Sequence, residues 1–186
     1  DDCSALADVL ANMTRLQDLS IGGNSIGVEG AMKIETVLSS LTLLRTLDMS
    51  QNPITHVGLR ALRLATRPTL AALDLSGTGL GENGSVALTE ILPALPRLQT
   101  LALDSNGFGA TEIFAIVTAL NGSARLASLT LGANAIGTNN TGFAEMAQAL
   151  QGLAGLQHFD IRQNDLRVID LRILCEPLRG MARLET

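Results

Sequence analysis

A repeating period constrains this chain more than any single motif. The segment LQDLSIGGNSI, starting at Leu16, returns in the same frame from Leu44 as LRTLDMSQNPI and from Leu70 as LAALDLSGTGL. It returns again from Leu98 as LQTLALDSNGF, from Leu126 as LASLTLGANAI and from Leu156 as LQHFDIRQNDL, and a seventh copy opens at Leu184. Successive frames begin 28, 26, 28, 28, 30 and 28 residues apart. A period of about 20–50 residues marks a solenoid, because one such unit cannot bury its apolar face alone and must stack on its neighbours.

Each position within the unit has a physical reason. Apolar residues two apart, such as Leu19/Ile21 and Leu73/Leu75, predict a short strand with one buried face. The next fixed position carries Asn24, Asn52, Asn106, Asn134 and Asn164. A buried turn must find partners for its backbone N–H and C=O groups, and an Asn amide supplies both donors and an acceptor. Stacked asparagines are therefore expected to form a structural ladder. Thr78 stands in the Asn place of the third repeat, so that turn is expected to be the least well satisfied. The second half of each unit reads as helix, with apolar residues four apart: Ile34/Leu38, Leu88/Leu92, Ile116/Leu120, Met146/Leu150 and Leu174/Leu178. Pro68 is expected to end a shorter second helix, and Pro93 and Pro96 the third.

The pattern LxxLxLxxNxL is similar to that of leucine-rich repeat proteins. A full helix in a 28-residue unit, with "IG" after the Asn and a Gly six residues past it, resembles the ribonuclease-inhibitor-like subfamily. Ile26-Gly27 with Gly30, and Leu80-Gly81 with Gly84, carry that likeness; Glu112 and Asp170 replace the later Gly in the fourth and sixth repeats. The resemblance implies an α/β fold: a curved leucine-rich repeat horseshoe with a parallel β-sheet on the concave face and α-helices on the convex face. The expected organisation is one domain, 1–186, holding a partial repeat 1–15, full repeats starting at 16, 44, 70, 98, 126 and 156, and a truncated repeat from 184. Neither end shows a polar cap, so the chain is expected to be a fragment of a longer array, open to end-to-end or edge association.

Residues 73–88, LDLSGTGLGENGSVAL, carry Gly79-x-Gly81-x-x-Gly84 after a strand, the outline of a dinucleotide-binding loop. Gly81 and Gly84 fall on positions that are glycine in other repeats, and Asp104 belongs to the next unit, so the repeat accounts for the motif and no cofactor is expected. Cys3 and Cys175 lie at opposite ends of the stack, too far apart for a disulfide. Cys175 reads as a small buried hydrophobe. His56 and His158 have no metal-binding neighbours in sequence, and no Ser-His-acid set is legible, so neither a metal nor a catalytic site is expected. The formal charge of −5 and the absence of a basic tail disfavour nucleic acid. No apolar run is long enough to span a membrane. Free thiols point to the cytoplasm or nucleus, while N-x-S/T sequons at Asn12, Asn83, Asn121 and Asn139 leave an extracellular setting open.

The working surface is expected where side chains alternate with the buried strand leucines. Asp48, Asp74 and Asp104 make that strip acidic, and Asp48 and Asp74 should be direct lateral neighbours. A protein partner with a basic segment is the expected ligand, against the alternative of a solvated polar face. In the sixth repeat His158, Asp160 and Arg162 share the face, either as a polar contact for a partner or as an internal Asp160–Arg162 pair. Arg15, Arg97, Arg125 and Arg183 recur just before the strand, either as solubilising turn residues or as a contact for an acidic partner. The function that follows is a non-catalytic protein-interaction scaffold. Two other readings remain: a regulator of a small GTPase, because Ran GTPase-activating proteins resemble this repeat type, and the ligand-recognition region of an immune-type sensor or surface receptor.

Overall fold

The computed structural model describes residues 2–138 and 141–184. Six three-residue strands, β1 (Asp18–Ser20), β2 (Thr46–Asp48), β3 (Ala72–Asp74), β4 (Thr100–Ala102), β5 (Ser128–Thr130) and β6 (His158–Asp160), form one parallel sheet in sequence order. Seven helices alternate with them: α1 (Asp2–Leu10), α2 (Val28–Leu38), α3 (Thr55–Ala61), α4 (Gly81–Ile91), α5 (Ala110–Leu120), α6 (Phe143–Ala149) and α7 (Val168–Arg179). This is the solenoid that the period demands. Every strand pair keeps the repeat register, so Leu19, Leu47, Leu73, Leu101, Leu129 and Phe159 stand in one line across the sheet.

The core lies between sheet and helices. Leu44, Leu70, Leu98, Leu126 and Leu156 are buried, as are the helix pairs Ile34/Leu38, Leu88/Leu92, Ile116/Leu120 and Met146/Leu150. Phe108 and Phe143 are its largest side chains. The rest is aliphatic, so each layer excludes water with side chains of similar size, and burial of this kind is the dominant favourable term in folding. On β6, Phe159 is only half-buried.

Three sequence expectations change. The short α3 stops at Ala61, seven residues ahead of Pro68; Arg63 enters the left-handed region (φ 47°) and Leu64–Thr66 form a 3-10 turn. The proline therefore follows the break rather than making it. Cys175 is exposed, because α7 turns Leu174 and Pro177 inward and places residue 175 on the outer face. Glu112 and Asp170 are not vacancies in the glycine pattern. The Gly109 N–H donates to Glu112 (2.8 Å) and the Arg167 N–H donates to Asp170 (2.8 Å), so each acid satisfies an orphan donor where its helix begins. In the first three repeats that place holds Gly30, Gly58 and Gly84, where an added Cβ would press on Ile26, Ile54 and Leu80.

Candidate functional site

The surface of interest is organised by the turn behind it. Backbone hydrogen bonding continues past the end of each strand: Gly23 N–H donates to Ser50, Gln51 to Ser76, Gly77 to Asp104, Ser105 to Gly132 and Ala133 to Arg162. The residue before each ladder position (Gly23, Gln51, Gly77, Ser105, Ala133, Gln163) is left-handed, with φ between 51° and 68°. That reversal sends the chain from the sheet toward the helices.

The asparagines tie these turns together. The Asn52 amide donates to Ile21 O (2.9 Å) in the preceding repeat and to Met49 O (3.0 Å) in its own. Its Oδ1 accepts from the N–H groups of Asn24 (3.0 Å) and Ile26 (2.8 Å). Asn134 repeats the arrangement, Asn106 does so with the Thr78 hydroxyl in place of the ladder residue's N–H at its Oδ1, and the Asn164 amide donates back to Leu131 O (2.8 Å). Thr78 is fully buried and its hydroxyl donates to Leu75 O (2.6 Å). With no amide, it does not reach back to Met49 O, and the Ile54 N–H turns instead to Asn52 O (2.7 Å). The change of pattern therefore falls on the second repeat's turn, one unit before Thr78.

On the opposite side of the strands the candidate residues sit as follows. Asp48 and Asp74 are register partners. Asp48 accepts hydroxyl hydrogen bonds from Ser20 (2.6 Å) and Ser50 (2.6 Å) and the Ser50 N–H (2.9 Å). Burial pushes its carboxyl up, but these three donors outweigh burial and hold it below the usual aspartate value. Asp74 accepts the Ser76 N–H at Oδ1 (2.8 Å), and its Oδ2 has no partner among the described residues. Asp104 accepts from the Gly132 N–H (2.7 Å), from Ser76 (3.3 Å) and from the Thr130 hydroxyl. In the sixth repeat Arg162 Nε lies 3.2 Å from Asp160 Oδ2, so the internal pair forms, while the Arg162 side chain stays exposed. His158 is exposed beside them on β6.

The structure brings Asp104 and Arg162 near one another through Gly132. A Cβ on Gly132 would lie 2.5 Å from Asp104 Oδ1 and 3.3 Å from Arg162 Cγ. Ser20, Ser50, Ser76 and Thr130, which the charge pattern alone does not single out, are the hydroxyl donors that hold Asp48 and Asp104. The signal available was hydroxyl residues beside an Asp at the same face position in adjacent repeats. Among the described residues no group of three or more His, Cys, Asp or Glu is arranged to hold a metal ion. No helix among them is long and apolar enough to cross a membrane.

A family profile described as "Leucine Rich repeat" matches residues 12–34 and 40–62, the first two of the repeats seen in the fold. The chain carries leucine-rich repeats. An internalin from Listeria monocytogenes shares the architecture at a TM-score of 0.63 and 21% identity, over 95% of this chain and 48% of the internalin. This repeat protein thus spans about half the length of that match. The tropomodulin C-terminal domain of Caenorhabditis elegans aligns at 0.61 and 12% identity, over 94% of this chain and 92% of that one. The actin-binding site 2 of leiomodin-1 aligns at 0.54 and 15%, over 97% and 88%. At these identities the likeness is one of fold.

Proposed function

We propose that this leucine-rich repeat chain is a non-catalytic protein-interaction scaffold, and that its concave face receives a basic segment of a protein partner. The observation carrying this reading is the Asp48–Asp74 pair. Two carboxylates share one lateral row, and Asp74 Oδ2 stays uncommitted while the neighbouring carboxylate is fixed by hydroxyls and an N–H. A preset acceptor costs little ordering entropy when a Lys or Arg arrives. Asp104 continues the strip, and His158, Asp160 and Arg162 extend it to the sixth repeat with a mixed polar patch.

The test is affinity capture with wild type and with Asp48→Asn/Asp74→Asn, which keeps the side-chain shape and one acceptor oxygen at each position and removes the charge. The expected result is a partner held by wild type and lost from the variant; equal capture sinks the reading. Actin, named in the leiomodin-1 match, is the first purified protein to try. Association of copies through the sheet edges β1 and β6 belongs to the same proposal, and a light-scattering mass that stays monomeric at rising concentration removes it.

A further inference from the structure

Charge in this protein is sorted by element. The segments leading from a helix end toward the next strand are 11–17, 39–45, 62–71, 92–99, 121–127, 150–157 and 180–184. They contain no Asp or Glu, yet they hold Arg15, Arg45, Arg63, Arg97, Arg125 and Arg183, with Arg67 as a seventh. More than half of the 13 basic residues therefore lie on one rim of a chain whose net charge is −5. Arg67 is mostly buried near Glu35. The other six are exposed and make no hydrogen bond or ion pair among the described residues.

Helix capping does not account for them. A cation stabilises a helix from its last turn, but α1, α2, α4, α5 and α6 have no basic residue there. The arginines stand several residues later, at the approach to the strand. The rim is also grooved. A cleft of about 430 Å³ is lined by Gly122, Ala124, Gly152, Ala154, Gly155 and Arg183. It shares Gly122 and Ala124 with a second of about 320 Å³ that Arg125 lines. Gly155 holds the place that Arg125 and Arg183 occupy in the flanking repeats, and a Cβ there would meet Ala124 O at 2.8 Å. The chain's close approach thus leaves a gap between two arginines.

We propose that this rim is a docking surface for an extended acidic protein segment, whose carboxylates meet the exposed arginines while its backbone lies in the groove between Arg125 and Arg183. The spacing fits. Repeats lie about 5 Å apart at the sheet and roughly 8–10 Å apart at the helices. Same-side residues of an extended peptide are about 6.6 Å apart, between those limits. Guanidinium groups bind carboxylates with paired, charge-assisted hydrogen bonds. This surface is of opposite sign to the concave strip, and neither proposal depends on the other.

The test uses the full chain and a fluorescein-labelled peptide of alternating Glu and Ala, about a dozen residues long, read by fluorescence anisotropy at low salt. Saturable binding that weakens as salt rises is expected. Arg97→Glu/Arg125→Glu/Arg183→Glu should lose about tenfold or more in affinity, and the single Arg125→Glu variant part of that. Asp48→Asn/Asp74→Asn should bind at least as well as wild type. No saturable binding to wild type, or binding unmoved by charge reversal in a folded variant, overturns the proposal. So does a single-stranded oligonucleotide of equal charge that binds as tightly as the peptide, since that would assign the rim to nucleic acid.

Discussion

Asn24 and Asn52 hold the same repeat position but serve different numbers of backbone groups. Asn52 is fully buried and joins two turns, whereas Asn24, at the β1 end, is exposed and its amide serves only Ile21 O and Gly22 O in its own repeat. Removing Asn52 takes the partner from the Ile26 N–H and from Met49 O, while Ile21 O keeps the Asn24 amide; each buried group left unpaired costs about 1–3 kcal/mol. Asn52→Ala is therefore expected to cost about 2–4 kcal/mol in urea unfolding, and Asn24→Ala less than about 1 kcal/mol, because water replaces its bonds. Equal losses would contradict the ladder account. The left-handed residue before each ladder position offers a second contrast. Ala133 holds φ 51° and Gly77 holds φ 64°. Ala133→Gly should gain about 0.5–1 kcal/mol by relieving the Cβ contact, and Gly77→Ala should lose a similar amount or more. Thermal melts of both variants check the sign.

At the scale of elements, helix starts and strand ends depend on carboxylates, and that makes stability sensitive to acid. The Asp170 side chain is buried, which pushes its carboxyl up, but the Arg167 N–H and guanidinium outweigh burial and hold it below the usual aspartate value. Asp48 is lowered for a parallel reason. A carboxyl that titrates lower when folded binds fewer protons in the native state. Its stabilisation is complete above the unfolded value near 4 and is lost as pH falls below it toward the folded value. The urea midpoint should thus drop below about pH 4, and Asp170→Asn should flatten that drop; an unchanged slope would deny Asp170 its role. Much of this architecture was legible beforehand. The strands follow from alternation at Leu19/Ile21 and its copies, and the helices from pairs such as Ile116/Leu120. The end of α3 was not legible, because it rests on Arg63 adopting a conformation that its side chain does not favour. Nor was the exposure of Cys175, since on α7 either flank of the Leu174 stripe could have faced the core. The bracing of Asp48 and Asp104 was hidden because their donors, Ser20 and Thr130, lie 28 and 26 residues away.

Across the whole molecule, each strand is hydrogen-bonded only to the strands of adjacent repeats. Stability in such an array is close to a sum of unit and neighbour-interface terms, so unfolding proceeds from wherever an interface is weakest. Among the described residues β1 and β6 each pair with one strand only, Asn24 is exposed and Phe159 is half-buried, so these two units have one stabilising interface where the others have two. The second interface is weakened differently, because Thr78 does not send a donor back to Met49 O. Native-state hydrogen exchange should then show its greatest protection in β4 and β5, where Asn106 and Asn134 join fully bonded turns. Protection should be lower in β1 and β2, with the first two repeats opening together at a free energy below that of global unfolding. Thr78→Asn, which returns an amide to the ladder, should raise protection in β2 and its turn while leaving β5 unchanged. Uniform protection from β1 to β6, or a change spread evenly along the chain, would show instead that the repeats open as one cooperative unit.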